Sequence, residues 1–408
     1  MWRRTTPTAQ IAAQSMPTRR VHPPIAPVAD FCSRTTRQPD HFHCHRAAPQ
    51  IEALVSPTRE ISAPRNEFVS SYTELAAEVR ASGLLDRRRN YYLIRIVATS
   101  ASFFALWTAV FLLGDSWWQP ALAVLLALTS TQFGFLGHDG AHRQMFASAA
   151  ANEWTARIVA AVGAGLSLHW WRGKHNRHHK APNQIGTDPD IVDGPIAFVP
   201  DVAAQRSGIA AWLTRRQGWF FFPLLTLEGA ALHVASIQGL VSKAPVPHRL
   251  LELSLIVVRL GLATVLPFVV MTTPQAVVFV LLQMAVFGVL LGGAFAPNHK
   301  GMPLVPKDVR VDFLRRQVLM SRNIRGGRII DFMMGGLNYQ IEHHLFPSMP
   351  RANLAKVRPL VQAHCARHSV TYTETSLIDS YAIVVRYLNQ VGLGERDPFT
   401  CPLVRMYR

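Results

Sequence analysis

Four apolar runs constrain this chain more than any other feature. They cover about 92–113, 118–137, 251–271 and 275–296, and each has the roughly 20-residue length that crosses a bilayer as a helix. Within hydrocarbon a helix satisfies its own backbone groups, so an all-α integral membrane fold is expected. The first two runs are joined by GDSWWQ and the last two by TTP, linkers without Lys or Arg. Trp117 and Trp118 suit a membrane interface. Basic residues, among them Arg87, Arg88 and Arg89, lie at the other ends of the runs. The positive-inside rule therefore puts both hairpin tips outside the cytoplasm and both chain ends within it.

Two further apolar segments, 157–170 and 218–241, need a decision. The first is too short to span. The second contains Pro223, Glu228 and His233. Both read as interfacial or re-entrant helices. The expected architecture is four transmembrane helices in two hairpins, with interfacial helices and a cytoplasmic helical cap. Arg259, inside the third run, is expected to snorkel or to pair with Glu252; contact with a substrate headgroup is the other reading.

Flanking this core, residues 1–65 hold nine of the 27 prolines and nine arginines without periodicity, a disordered composition. The His41–His45 tract is a poor ligand set in such a tail. Residues 70–83 place Tyr72, Leu75, Ala76 and Val79 at helical spacing, and 376–408 form a C-terminal cytoplasmic extension. The net charge of +17 is distributed around membrane segments rather than in a nucleic-acid-binding motif. Cys32, Cys44, Cys365 and Cys401 have no CxxC spacing, which fits a reducing compartment.

Seven of the 17 histidines fall in three clusters, each just beyond an apolar segment. GHDGAHRQ places His138 and His142 four apart. KHNRHHKAPN places His175, His178 and His179 at i, i+3 and i+4. NYQIEHHLFP repeats that spacing with Gln340, His343 and His344. On helices each set shares one face. His299 follows the fourth run. Neutral imidazole is a common ligand for iron, zinc, copper and nickel, and eight imidazoles exceed what one zinc takes. Asp139, Asp188, Asp190, Asn338 and Glu342 are candidates to accept the second ring N–H. Lys174, Arg177 and Lys180 are candidates for a phosphate-bearing headgroup.

These three boxes, with Trp170–Trp171, Asp188–Pro189–Asp190 and Asn338–Tyr339–Gln340, resemble the membrane fatty acid desaturase family over about residues 70–375, within a domain bounded at 66–375. The pattern looks most like bacterial acyl-CoA and acyl-lipid desaturases, with flanking similarity to linoleoyl-CoA desaturases. The resemblance implies two irons, with His138, His142, His175, His178, His179, His299, His343 and His344 as ligands. It implies one double bond made per O2 in a fatty acyl-CoA or acyl-lipid, and a bacterial plasma membrane with the site on its cytoplasmic face. Gln340 departs from the all-histidine third box and is expected to ligate weakly or to hydrogen-bond a ligand. The HPGG motif of a fused cytochrome b5 domain does not occur, so electrons would come from a separate ferredoxin, cytochrome b5 or flavin/iron–sulfur reductase. The alternatives are a lipid or carotenoid hydroxylase on the same scaffold and, in another class, a membrane metal transporter. Transport usually needs ionisable residues near mid-membrane; the second and fourth runs have no Asp, Glu, Lys or Arg, and the first has only Arg95, near its start.

Overall fold

The computed structural model describes residues 65–192 and 194–394. The N-terminal tail, with its His41–His45 tract, lies outside the described residues up to position 64, as do 395–408. The described chain is helical apart from one short parallel strand pair. In order the elements are α1 (Arg65–Ala81), α2 (Arg89–Leu113), α3 (Gln119–Ala141), α4 (Ala149–Ile158) and α5 (Leu168–Lys180). There follow α6 (Pro200–Ala204), α7 (Gly208–Thr214), α8 (Gln217–Val241), α9 (Arg249–Val270), α10 (Thr273–His299) and α11 (Phe313–Leu319). Strand β1 (Asn323–Arg325), α12 (Arg328–Met333), α13 (Gln340–Leu345), α14 (Arg351–Arg367), β2 (Glu374–Ser376) and α15 (Leu377–Gly392) complete the fold.

The two long hairpins form where the apolar runs require them. Helix α2 stops at Gly114, whose φ of +60° lies in the region glycine tolerates. The Gln119 amide then donates to Val110 O (2.9 Å) and Gly114 O (2.8 Å), closing the turn. Asp115 Oδ1 accepts from Thr272 N (3.4 Å), so the tips of the two hairpins touch. Ile94, Phe104 and Leu112 of α2 and Val258, Val265 and Val269 of α9 are exposed on the outer faces, as a lipid-facing surface demands.

Residues 157–170 do not form one long helix. Helix α4 loosens into a π-helical stretch, Val159–Ala164, and ends at Gly165 with φ +71°. Ser167 starts α5 by accepting from Trp170 N (3.2 Å) and donates to Glu252 Oε2 (2.6 Å). Residues 217–241, by contrast, form a single helix of 25 residues, α8. Five described helices are therefore long and apolar enough to cross a membrane, against the four spans expected. Two polar residues of α8 that suggested otherwise are turned toward protein. Glu228 lines a cavity, and His233 Nε2 lies 3.0 Å from Ala164 O. Glycines let α8 pack backbone to backbone on α10: a Cβ at Gly229 would meet Met284 O, and one at Gly288 would meet Leu225 O.

The Arg259–Glu252 pair does not form. Glu252 is taken by Arg157 Nε (3.0 Å) and Ser167, which flank the π-helical stretch in the chain. Arg259 instead donates to Ser130 Oγ (3.3 Å) and lies over the Phe103 ring.

Candidate metal centre

The last turn of α3, the body of α5, the end of α10 and the short α13 converge, bringing all eight histidines together. Two groups have ligand atoms mutually within 4.8 Å: His138, His142, His175 and His343, then His178, His299 and His344. His179 lies between them. Its Nε2 is 2.9 Å from His175 Nε2 and 3.1 Å from His343 Nε2, and its ring stacks on His344.

The nitrogens are sorted in a way that suits a metal. His138 Nδ1 faces Asp139 Oδ1 (3.1 Å), and His178 Nδ1 faces Asp188 Oδ1 (3.0 Å). His299 Nδ1 faces Met320 O (2.9 Å), and His344 Nδ1 faces Gln317 Oε1 (2.8 Å). An outer partner on one ring nitrogen fixes the tautomer and turns the other lone pair inward. Accordingly His138, His142 and His344 each bury an Nε2 with no hydrogen-bond partner, and His178 and His299 oppose their Nε2 atoms at 3.2 Å. Orphaned buried acceptors are costly, and a cation among them removes the cost. His179 and His343 differ, since their buried Nδ1 atoms have no partner.

Burial, then the neighbouring imidazoles, hold His142, His175, His179, His343 and His344 well below the ordinary histidine range. All five are neutral imidazoles at neutral pH, the form in which histidine can bind a metal. Burial pushes Asp188 up, but the hydrogen bond and charge of His178 outweigh it and its carboxyl titrates low. Asp188 also accepts from Asn183 N (2.7 Å) and Asp190 N (2.9 Å), pinning the turn after α5.

The remaining sequence candidates fall in different places. Gln340 Nε2 lies 2.9 Å from His299 Nε2, with its Oε1 accepting from Asn298 (3.2 Å). Asp190 Oδ2 is 3.4 Å from His178 Nδ1. Glu342 faces no histidine: it accepts from Asn323 (2.7 Å) and Tyr372 (2.7 Å), anchoring α13 to β1 from behind. Asn338 donates to Asp331 (2.8 Å). Gln317 and Arg351 carried no sequence signal. Gln317 is fully buried and also donates to His179 O (3.0 Å). Arg351 pairs with Asp139 Oδ2 at 2.6 Å behind His138.

A cavity of about 460 Å³ opens onto the histidines, lined by His138, His175, His178 and His299 and by apolar residues of α3, α8 and α10. Its charged part comprises Lys174, Asp190, Glu228 and Lys300. Lys174 Nζ pairs with Asp190 Oδ1 (2.5 Å), and Lys300 Nζ donates to Asp190 O (2.7 Å). Arg177 and Lys180 are exposed and do not line it.

Apolar helices, a buried polyhistidine centre and an adjoining apolar cavity define a membrane protein built to act on a lipid chain. The family model described as Fatty acid desaturase matches residues 115–376, and the chain belongs to that family. Among its relatives, the Delta(6)-fatty-acid desaturase fat-3 of Caenorhabditis elegans is 28% identical over 343 residues, covering 81% of this chain and 76% of its own. The Delta(8)-fatty-acid desaturase of Helianthus annuus is 26% identical over 348 residues, covering 81% and 75%. The Delta(5) fatty acid desaturase fat-4 of C. elegans is 29% identical over 344 residues, covering 79% and 73%. These relatives are eukaryotic, where the sequence pattern had suggested bacterial ones. The chain is an oxidoreductase that desaturates fatty acyl groups.

Proposed function

We propose that this desaturase holds two irons and inserts its double bond on the carboxyl side of the acyl chain, at a site on the cytoplasmic face of a four-span protein. The carrying observation is the division of the histidines into two groups around one cavity. His138, His142, His175 and His343 would hold one iron. His178, His299 and His344 would hold the other, with His179 between them and Gln340 against His299. Iron supplies what no side chain can, removal of hydrogen from an unactivated methylene with O2. The protein holds the chain in a dry, apolar cavity and keeps the imidazoles neutral and oriented.

Carboxyl-side chemistry is supported by two observations. The relatives' names count their double bonds from that end, at positions 5, 6 and 8. Lys174 and Lys300 are the chain neighbours of His175 and His299, so the charged part of the cavity adjoins the histidines. A polar acyl carrier bound there leaves only the first few methylenes beside the metals.

The four-span reading follows from parity. Helices α9 and α10 cross and return. A third full crossing by α8 would leave His178 and His299 on opposite faces, yet their Nε2 atoms are 3.2 Å apart. Both ends of α8 also touch histidine-side elements. Gln217 donates to Leu388 O of α15 (2.8 Å), and Gly239 abuts Trp170 of α5.

Expression in a host without the activity, with mass-spectrometric location of new double bonds, tests the reading. A new bond within the first eight or so carbons is expected. A bond confined to the methyl half sinks the carboxyl-side assignment, and an added hydroxyl without a double bond favours the hydroxylase. Metal analysis should find two irons per chain.

A further inference from the structure

Electrons have to reach the buried histidines from outside, and the cover over them is thin and basic at one place. Helix α11 and the loop before it pack on the end of α5. Arg316 Nη1 donates to Lys180 O (3.1 Å), and Gln184 Nε2 donates to Lys307 O and Val309 O (3.2 Å each). This brings Arg177 and Lys180, near the end of α5, beside the segment that carries Lys307, Arg310 and Arg316; Arg177, Lys180, Lys307 and Arg310 are exposed. Among the described residues none of the five is in an ion pair. Of the acids on the 303–316 segment, Asp312 is engaged by Arg315 (3.4 Å) and Asp308 is exposed. Val309 and Phe313 of the same segment expose apolar surface, although the Phe313 ring also packs edge-on against Tyr72 (4.6 Å).

The depth below it is one side chain. Gln317 follows Arg316 in the chain and bonds both His344 Nδ1 and His179 O. Lys180 follows His179. Electron tunnelling falls steeply with distance, so a redox group seated here would sit close to both histidine groups. A basic surface with exposed apolar side chains nearby is what steers and seats a weakly bound acidic partner; transient redox encounters use small interfaces.

We infer that this face docks a small acidic one-electron carrier protein. The inference rests on the desaturase reading. Each turnover takes two hydrogens from the acyl chain, two electrons and two protons, reduces one O2 and releases two waters. The carrier therefore docks twice per turnover, leaving oxidised each time. Anionic membrane lipid is the competing occupant.

The test uses the whole protein in nanodiscs of neutral phosphatidylcholine, with a soluble acidic ferredoxin as probe and the double variant Lys307→Glu/Arg310→Glu. Ferredoxin should bind wild-type protein, with or without its metals, and bind less tightly as salt rises. The variant should bind it at least tenfold more weakly and show a matching rise in ferredoxin KM. Its rate with dithionite and methyl viologen, and its KM for the acyl substrate, should stay at wild-type values. Unchanged ferredoxin affinity overturns the proposal. So does equal loss with both reductants, which makes the two residues structural. Intact ferredoxin coupling with lost binding to phosphatidylserine vesicles assigns the face to lipid. Failure of wild-type protein to desaturate even with dithionite counts instead against the desaturase reading.

Discussion

Gln317 gives the sharpest test of how the centre is held. Its amide orientation is fixed by its two partners: Nε2 donates to His179 O, so Oε1 must face His344 Nδ1. His344 therefore carries its proton on Nδ1 and offers Nε2 inward. Gln317→Leu keeps much of the volume and removes both bonds. It leaves a buried imidazole N–H and a buried carbonyl without partners, each costing about 1–3 kcal/mol. Loss of such an outer partner typically costs about 10–100-fold in metal affinity, or roughly 1.4–2.7 kcal/mol. Gln317→Glu keeps the acceptor for His344 but sets an oxygen against His179 O, so its loss should be the smaller one. The assay is iron competition with a calibrated chelator, alongside thermal melts of the metal-free variants. Iron affinity of the Leu variant within twofold of wild type would falsify the tautomer argument. An unfolded metal-free Leu variant would move Gln317 from ligand orientation to folding.

Three further outcomes follow from the same geometry. Arg351→Met strands Asp139, a carboxylate only 2% exposed, behind His138. Breaking a buried pair from one side costs about 3–5 kcal/mol, so a large fall in the melting temperature of metal-free protein is expected; a change of a degree or less would mean water already solvates Asp139. Metal-free protein should also lose stability as pH falls. His142, His175, His179, His343 and His344 have folded-state values far below 6.5, so below that pH the unfolded chain binds protons that the folded chain refuses. Each contributes up to about 1.4 kcal/mol per pH unit, starting near pH 6.5 and continuing downward. A flat stability profile between pH 7 and 5 in chelated protein would contradict their burial. Gly288→Val should separate α8 from α10, because its Cβ would strike Leu225 O and Gly229 N; overpacking of this kind costs about 1–3 kcal/mol, read as a lower melting temperature and narrower acyl-chain acceptance.

What the sequence made legible was the part set by local periodicity. His175, His178 and His179 share a face because helices repeat every 3.6 residues, and the structure puts them on α5 with His175 and His178 buried. Gly114 ended α2 for a reason visible in one residue. The illegible parts depend on what arrives from elsewhere in the chain. Glu252 looked free to meet Arg259 only because Arg157, 95 residues away, could not be seen competing for it. Glu342 was a reasonable partner for a histidine until Asn323 and Tyr372 came in from β1 and the chain before β2. Gln317 sits in a seven-residue helix too short to show any period.

Helix α8 marks the boundary between these two kinds of information. Composition alone makes it a fifth crossing, and its polar residues alone make it something less. Neither is decisive, because Glu228 and His233 are shielded by protein that the local sequence does not describe. The observation that favours the four-span proposal is the contact between His178 and His299, which lie on either side of α8, α9 and α10 in the chain. Insertion of a glycosylation acceptor between Val241 and Arg249 reads it out. In the four-span reading that loop lies on the same side as His178 and stays unmodified in microsomes, while an acceptor in the Gly114–Trp118 turn is modified. Modification at the 241–249 loop would make α8 a full crossing, and the joint histidine centre could not then form in one membrane orientation.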